Sequence, residues 1–248
     1  MTTQSEMAPP SKEFRTLPAS PLGRWLLLGT GVCLALVMYG LLRTPAAVTG
    51  PGGALNLVGA AVTLLAYGLA GWAGVSWLGQ SLGREALRLG ALCGWLAGLV
   101  YLGTFLIEYF TPITAEQDGS LGLVEFGSVL ALFFLAGLLA ARQSGRIRAG
   151  IGAALACAIL SGLIWFNLLL LSNFIFQGTA RQEHFYAINN TLADFQRSGM
   201  SDLQVFVMQD FLGAGLFHTL LALIAGALLG ALGGVFGKVA SRFGARHE

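Results

Sequence analysis

Residues 149–176 read AGIGAALACAILSGLIWFNLLLLSNFIF, a run that contains no Asp, Glu, Lys or Arg. As a helix rising 1.5 Å per residue it is about 42 Å long, more than the roughly 30 Å of hydrocarbon in a bilayer. Arg142, Arg146 and Arg148 precede it, and a polar connection beginning at Gln177 follows it. A charge-free run of this length, with charge confined to its flanks, predicts a transmembrane helix.

Five more runs of the same kind lie along the chain: Trp25 to Leu42, Ala54 to Leu78, Glu85 to Tyr109, Leu121 to Ala141 and Phe211 to Phe236. Composition agrees, with 55% hydrophobic and only 10% charged residues and a mean hydropathy of +0.72. A soluble domain carries roughly 25% charged residues. The expected fold class is therefore all-α: a polytopic integral membrane protein of six transmembrane helices, with an amphipathic interfacial segment between the fifth and sixth. The expected organisation is a cytoplasmic tail over 1–23, a transmembrane domain over 24–237 that includes the outer segment 178–210, and a basic tail over 238–248. Four prolines, Pro9, Pro10, Pro18 and Pro21, mark the first tail as irregular. The first span reads as a retained anchor, because Arg43 stands where a signal peptide would need a neutral cleavage region.

An even number of spans puts both termini on one side, and Lys and Arg choose the side. Lys12, Arg15, Arg24, Arg84, Arg88, Arg142, Arg146, Arg148, Lys238, Arg242 and Arg246 share one face, against Arg43, Arg181 and Arg197 on the other. The positive-inside rule makes the richer face cytoplasmic, so the expected location is a bacterial cytoplasmic membrane. A formal charge of +2 is too small to suggest nucleic acid as a partner. The lipid bilayer is the first partner, with a larger membrane complex or self-association beside it.

The longest connection, from Gln177 to Asp210, lies on the outer face. Phe185, Ile188, Leu192 and Phe195 recur there at helical spacing, which predicts one amphipathic helix between Arg181 and Arg197. Ser198 and Gly199 should end it, and Ser201 or Asp202 should cap a second short helix carrying Leu203, Phe206 and Val207. The triplet Asn189-Asn190-Thr191 matches a glycosylation acceptor but is discounted as a chance match. The second and third spans resemble the fourth and fifth: Leu69-Ala70-Gly71, Gly83-Arg84 and Gly90 in one pair, Leu135-Ala136-Gly137, Gly145-Arg146 and Gly150 in the other. Duplication and coincidence account equally well for this likeness.

Glycine is abundant, 35 of 248 residues, and it is phased. Ala86, Gly90, Gly94 and Gly98 repeat every four residues in the third span, as do Ala222, Gly226, Gly230 and Gly234 in the sixth. Lipid supplies no hydrophobic drive for helices to associate, so small ridges that let backbones approach are expected packing surfaces. Cys33, Cys93 and Cys157 fall inside apolar runs without a Cys-x-x-Cys pair and read as small packing residues.

Ionisable groups inside spans are the sharper clues, because charge in the bilayer costs several kcal/mol. Glu108 shares a helical face with Thr104, Tyr101, Ala97 and Gly90. Glu125 enters the fourth span from the same side, and His218 stands on the ridge of Ala214, Ala222 and Gly226. Asn173 and Gln177 of the fifth span arrive at similar depth. These five form a candidate polar cluster able to relay protons, hold a cation or grip a small solute. The bland alternative is that each snorkels or caps a helix end on its own. The spacing of the three histidines suggests no metal site, and no catalytic or cofactor motif is present, so an enzyme is not expected. Two functions follow: an accessory or structural subunit that packs through its Gly/Ala ridges, or a small permease or channel that uses the outer polar residues.

Overall fold

A computed structural model describes residues 21–76 and 82–244. Lys12, Arg15 and most of the N-terminal tail, the end of the second span at Leu78, and Arg246 lie outside the described residues. Nine helices are described: α1 (Pro21–Arg43), α2 (Ala46–Thr49), α3 (Gly53–Ser76), α4 (Arg84–Phe110), α5 (Ala115–Ser144), α6 (Ile147–Ile175), α7 (Ala180–Ile188), α8 (Thr191–Ser198) and α9 (Leu203–Gly244). No strand occurs among the described residues. Six of these helices, α1, α3, α4, α5, α6 and α9, are long and apolar enough to cross a membrane. The short helices α2, α7 and α8 gather at one end of the bundle, the cap end. Arg24, Arg84, Arg142, Arg146, Arg148, Lys238 and Arg242 lie toward the other, the basic end.

Helix α6, which carries the charge-free run, is the axle of the bundle. In its most apolar stretch 61% is buried, against 22–39% in the other spans. Around it the neighbours run α1, α3, α9, α5, α4 in order, with little contact between α4 and α1 to close the ring. This arrangement separates the two hairpins that look alike in sequence. The pair α5 and α6 pack on each other, whereas α3 packs on α1 and α9, and α4 packs on α5 and α6. Their similarity stops at the turns.

Small residues let the neighbours approach the axle. A Cβ on Gly90 would run into the Ala153 carbonyl, one on Gly94 would lie 3.0 Å from the Leu160 Cβ, and one on Gly98 would lie 2.6 Å from Ile164 Cδ1. On the other side of α6, a Cβ on Gly226 would come within 2.9 Å of the Ala158 Cβ, and one on Gly230 within 2.6 Å of the Ala154 Cβ. One on Gly234 would come within 3.1 Å of Ile147 Cγ2. The sixth span presents a further row, Gly233 and Gly237, to the backbone of α5 at Phe134 and Leu138. Cys33, Cys93 and Cys157 are all buried and free.

Several boundaries differ from those expected, each for a local reason. The fourth span starts at Ala115 rather than Leu121. Thr114 caps it, accepting from the Gln117 amide at 3.3 Å while the Gln117 side chain accepts from the Thr114 amide at 2.9 Å. Such a capping box satisfies two otherwise orphaned donors and makes an early start favourable. The single amphipathic helix expected between Arg181 and Arg197 is two helices, because Asn190 takes a left-handed conformation at φ 59° and ends the first. Phe185 and Ile188 are buried, but Leu192 is exposed. No separate helix precedes the sixth span: Asp202 accepts from the amides of Gln204 (2.8 Å) and Val205 (3.2 Å), and α9 then runs unbroken. At 42 residues α9 is about 63 Å long, about twice the hydrocarbon thickness.

Candidate functional site

The ionisable residues of the cap half are built on α4 and α5. Glu108 lies close enough to Asp118 and Glu125 for the three carboxyls to feel one another's charge. Beside Glu125 stands Thr104, whose hydroxyl donates to the Val100 carbonyl at 3.3 Å. His184 of α7 approaches Asp118 from above. Asp118 Oδ1 and His184 Nε2 are buried without a hydrogen-bond partner among the described residues. Among the described residues, the ion pair formed is Arg197 with Asp194, away from this flank on exposed α8. So three half-buried carboxyls share one flank, with His184 beside one of them and no Lys or Arg paired to any among the described residues. No three His, Cys, Asp or Glu side chains among the described residues are arranged to hold a metal ion.

The flank is unusual in a second way. None of the residues from Ala115 to Ser128 is buried, while the basic-end half of α5 buries Val129, Phe133, Ala136, Gly137, Ala140 and Ala141. The helix is gripped at one end by α9 and α6; at the other it is half-buried where Asp118 and Glu125 face α4 and α7, and largely exposed over the rest.

Of the five candidates expected to converge, the structure brings together Glu108 and Glu125. Asn173 belongs to a latch under the cap: its Oδ1 accepts from Gln182 Nε2 and from the Tyr186 hydroxyl, both at 2.8 Å. All three residues are buried. Burial pushes the Tyr186 hydroxyl above its ordinary pKa, which keeps it a donor. Gln177 is exposed and donates to Gln204 Oε1 at 3.3 Å, tying the start of the connection to the start of α9. His218 is exposed, stacked on Trp165 with ring centroids 3.9 Å apart, and its Nδ1 lies 3.0 Å from the Ala214 carbonyl.

His218 fails to face inward for a geometric reason. A step of four residues turns about 400° around an α-helix, so a ridge of such steps drifts by about 40° each time. Two steps back from Gly226 put His218 roughly 80° away from the packing face. The face continues instead through Thr219 and Gly215. Thr219 meets the Tyr67 hydroxyl at 2.8 Å, and a Cβ on Gly215 would crowd the Phe166 ring.

No family model, curated protein or solved structure matches the chain. The assignment of function therefore rests on these residues.

Three residues of this region were missed in the sequence reading. Asp118 was set outside the fourth span, although the capping box Thr114-x-x-Gln117 marks the earlier start. Gln182 and Tyr186 belong to the outer amphipathic segment, whose spacing singles out Phe185, Ile188, Leu192 and Phe195 and assigns those two no role. No spacing rule says that such side chains turn inward to meet Asn173.

Proposed function

We propose that this protein is a non-catalytic subunit of a membrane assembly, docking a partner in the membrane along the cap-end half of α5. The observation that carries the reading is the pairing of that largely exposed half-helix with Glu108, Asp118 and Glu125. Carboxyls in hydrocarbon are costly unless something pairs with them or protonates them, and among the described residues no Lys or Arg stands beside these three, with His184 approaching Asp118 alone. A partner helix would supply both the missing packing and the missing donors. The axis of the bundle supports the same reading, since α6 fills the line a pore would follow with Ala, Leu and Phe side chains. The positive-inside rule puts the basic end and both termini in the cytoplasm and the cap on the opposite side. The membrane is then the bacterial cytoplasmic membrane.

The second reading, a small permease for protons, a cation or a small polar solute, is favoured by one feature. Glu108, Asp118 and Glu125 lie together near Thr104, and His184 stands at their outer end, so titratable groups form a short column. Both readings are separated by one preparation. The natively expressed chain, carrying a photo-crosslinking residue at Val124, is extracted in mild detergent and its bound proteins are weighed by mass spectrometry. A partner in fixed ratio that crosslinks at Val124 supports the subunit. Recovery of the chain alone, with proton or cation flux in liposomes that Glu125→Gln abolishes, overturns it in favour of the permease.

A further inference from the structure

The ring of helices around α6 has one loose seam, between α1 and α4. Near the basic end the edge-to-face pair Trp25–Trp95 spans it, with centroids 5.5 Å apart. Toward the cap end α6 itself is open: Leu171 is 43% and Ile175 61% exposed, although this is the most buried helix of the fold. Two arginines stand at the cap-end mouth. Arg43 closes α1 and lies 5.8 Å from the Tyr39 ring, which packs edge-on against Phe174 at 5.0 Å. Arg181 opens α7 and lies 4.1 Å over Phe110, the last residue of α4. Both guanidiniums are exposed, and neither has a carboxylate partner among the described residues.

We propose that this seam is a binding site for an anionic phospholipid, with one acyl chain lying along α6 over Leu171 and Ile175 and the phosphate held at the arginine mouth. The apolar floor matches the chain, and the positive charges of Arg43 and Arg181, each at the cap end, match the phosphate. Aromatic rings beneath each guanidinium hold it at the membrane surface while leaving its N–H donors free for phosphate oxygens. The site is independent of the acidic flank, because α4 presents Phe110 to the seam and Glu108 to α5.

The test is native mass spectrometry of the delipidated full chain titrated with phosphatidylglycerol or with phosphatidylcholine of the same acyl chains. One phosphatidylglycerol should be retained more tightly than phosphatidylcholine. A basic residue near an anionic lipid surface is worth about fivefold in binding, so Arg43→Gln with Arg181→Gln should reduce retention by roughly twentyfold or more. Leu171→Trp, which fills the floor and leaves both arginines, should also displace the lipid. Equal retention of both lipids, or of phosphatidylglycerol by wild type and the arginine variant, overturns the proposal. Loss in the arginine variant with full retention by Leu171→Trp overturns it as well, since binding would then be surface charge without the seam. An unchanged melting temperature shows that each variant is folded.

Discussion

Gly137 of α5 and Gly230 of α9 meet backbone to backbone: a Cβ on Gly137 would stand 2.8 Å from both the Cα and the carbonyl oxygen of Gly230. Gly150 of α6 closes the same junction, where a Cβ would lie 3.0 Å from the Gly234 Cα. Three helices thus cross at a point where no side chain fits. Around it the bundle is tight, and toward the cap α5 stays buried at Phe133 and Val129 but buries no residue from Ser128 back to Ala115.

Gly137→Leu or Gly230→Leu should therefore be among the most damaging single changes. Overpacking a core usually costs about 1–3 kcal/mol, and here the obstacle is backbone that cannot turn aside, so a loss at or above about 3 kcal/mol is expected. Thermal unfolding in detergent measures it. Gly127→Leu on the same helix, where a Cβ meets nothing within 4 Å, is the control and should leave the melting temperature unchanged.

The cap should depend on one side chain. Asn173→Leu leaves the Tyr186 hydroxyl buried without its acceptor, whereas Gln182 Nε2 keeps the Asn173 backbone carbonyl at 3.1 Å. Each unsatisfied buried group costs about 1–3 kcal/mol. Limited proteolysis should then cut between Arg181 and Arg197 faster than in the wild type, while the six spans stay protected. Unchanged cleavage would show that Phe185, stacked 4.6 Å from Tyr109, holds the cap without the latch.

Tyr67→Phe removes the hydroxyl that joins α3 to Thr219 of α9. Hydrogen bonds between helices in membranes average about 0.6 kcal/mol and reach about 1.7. Thr219 keeps a second partner, the Gly215 carbonyl at 2.7 Å. A loss below about 1 kcal/mol is expected, and a double-mutant cycle with Thr219→Val isolates it.

His218→Phe should fold and assemble as the wild type does, because the exposed ring is used for its stacking on Trp165 and an aromatic replacement keeps that contact. Glu125→Gln should also leave the melting temperature unchanged but should lower the amount of partner that copurifies. A fall in stability for Glu125→Gln, measured without partner, would mean that the carboxyl serves the fold itself.

Orientation is open to direct measurement, since the three native cysteines are buried. Cysteines placed at the exposed positions Gln143, on the basic end, and Gln196, on α8, should react oppositely with a membrane-impermeant maleimide added to intact cells. Labelling at Gln196 and protection at Gln143 is the expected result. The reverse pattern would place the cap in the cytoplasm.

Sequence alone determined the six helices long and apolar enough to cross a membrane and the two glycine ridges, because these depend on local quantities. A run long enough to cross hydrocarbon, the phase of small residues within one helix and the distribution of Lys and Arg are each legible without knowing any neighbour. The tertiary structure alone decided which helix became the axle and which polar side chains met. Lipid is as apolar as leucine, so hydropathy does not rank helix faces against each other, and packing geometry selects the neighbours. That selection turned His218 outward by a drift of about 40° per ridge step and drew Asn173 into a latch with Gln182 and Tyr186. It also left Glu108 of α4 beside Asp118 and Glu125 on the cap-end half of α5, because the buried packing of α5 runs only from Val129 to Ala141.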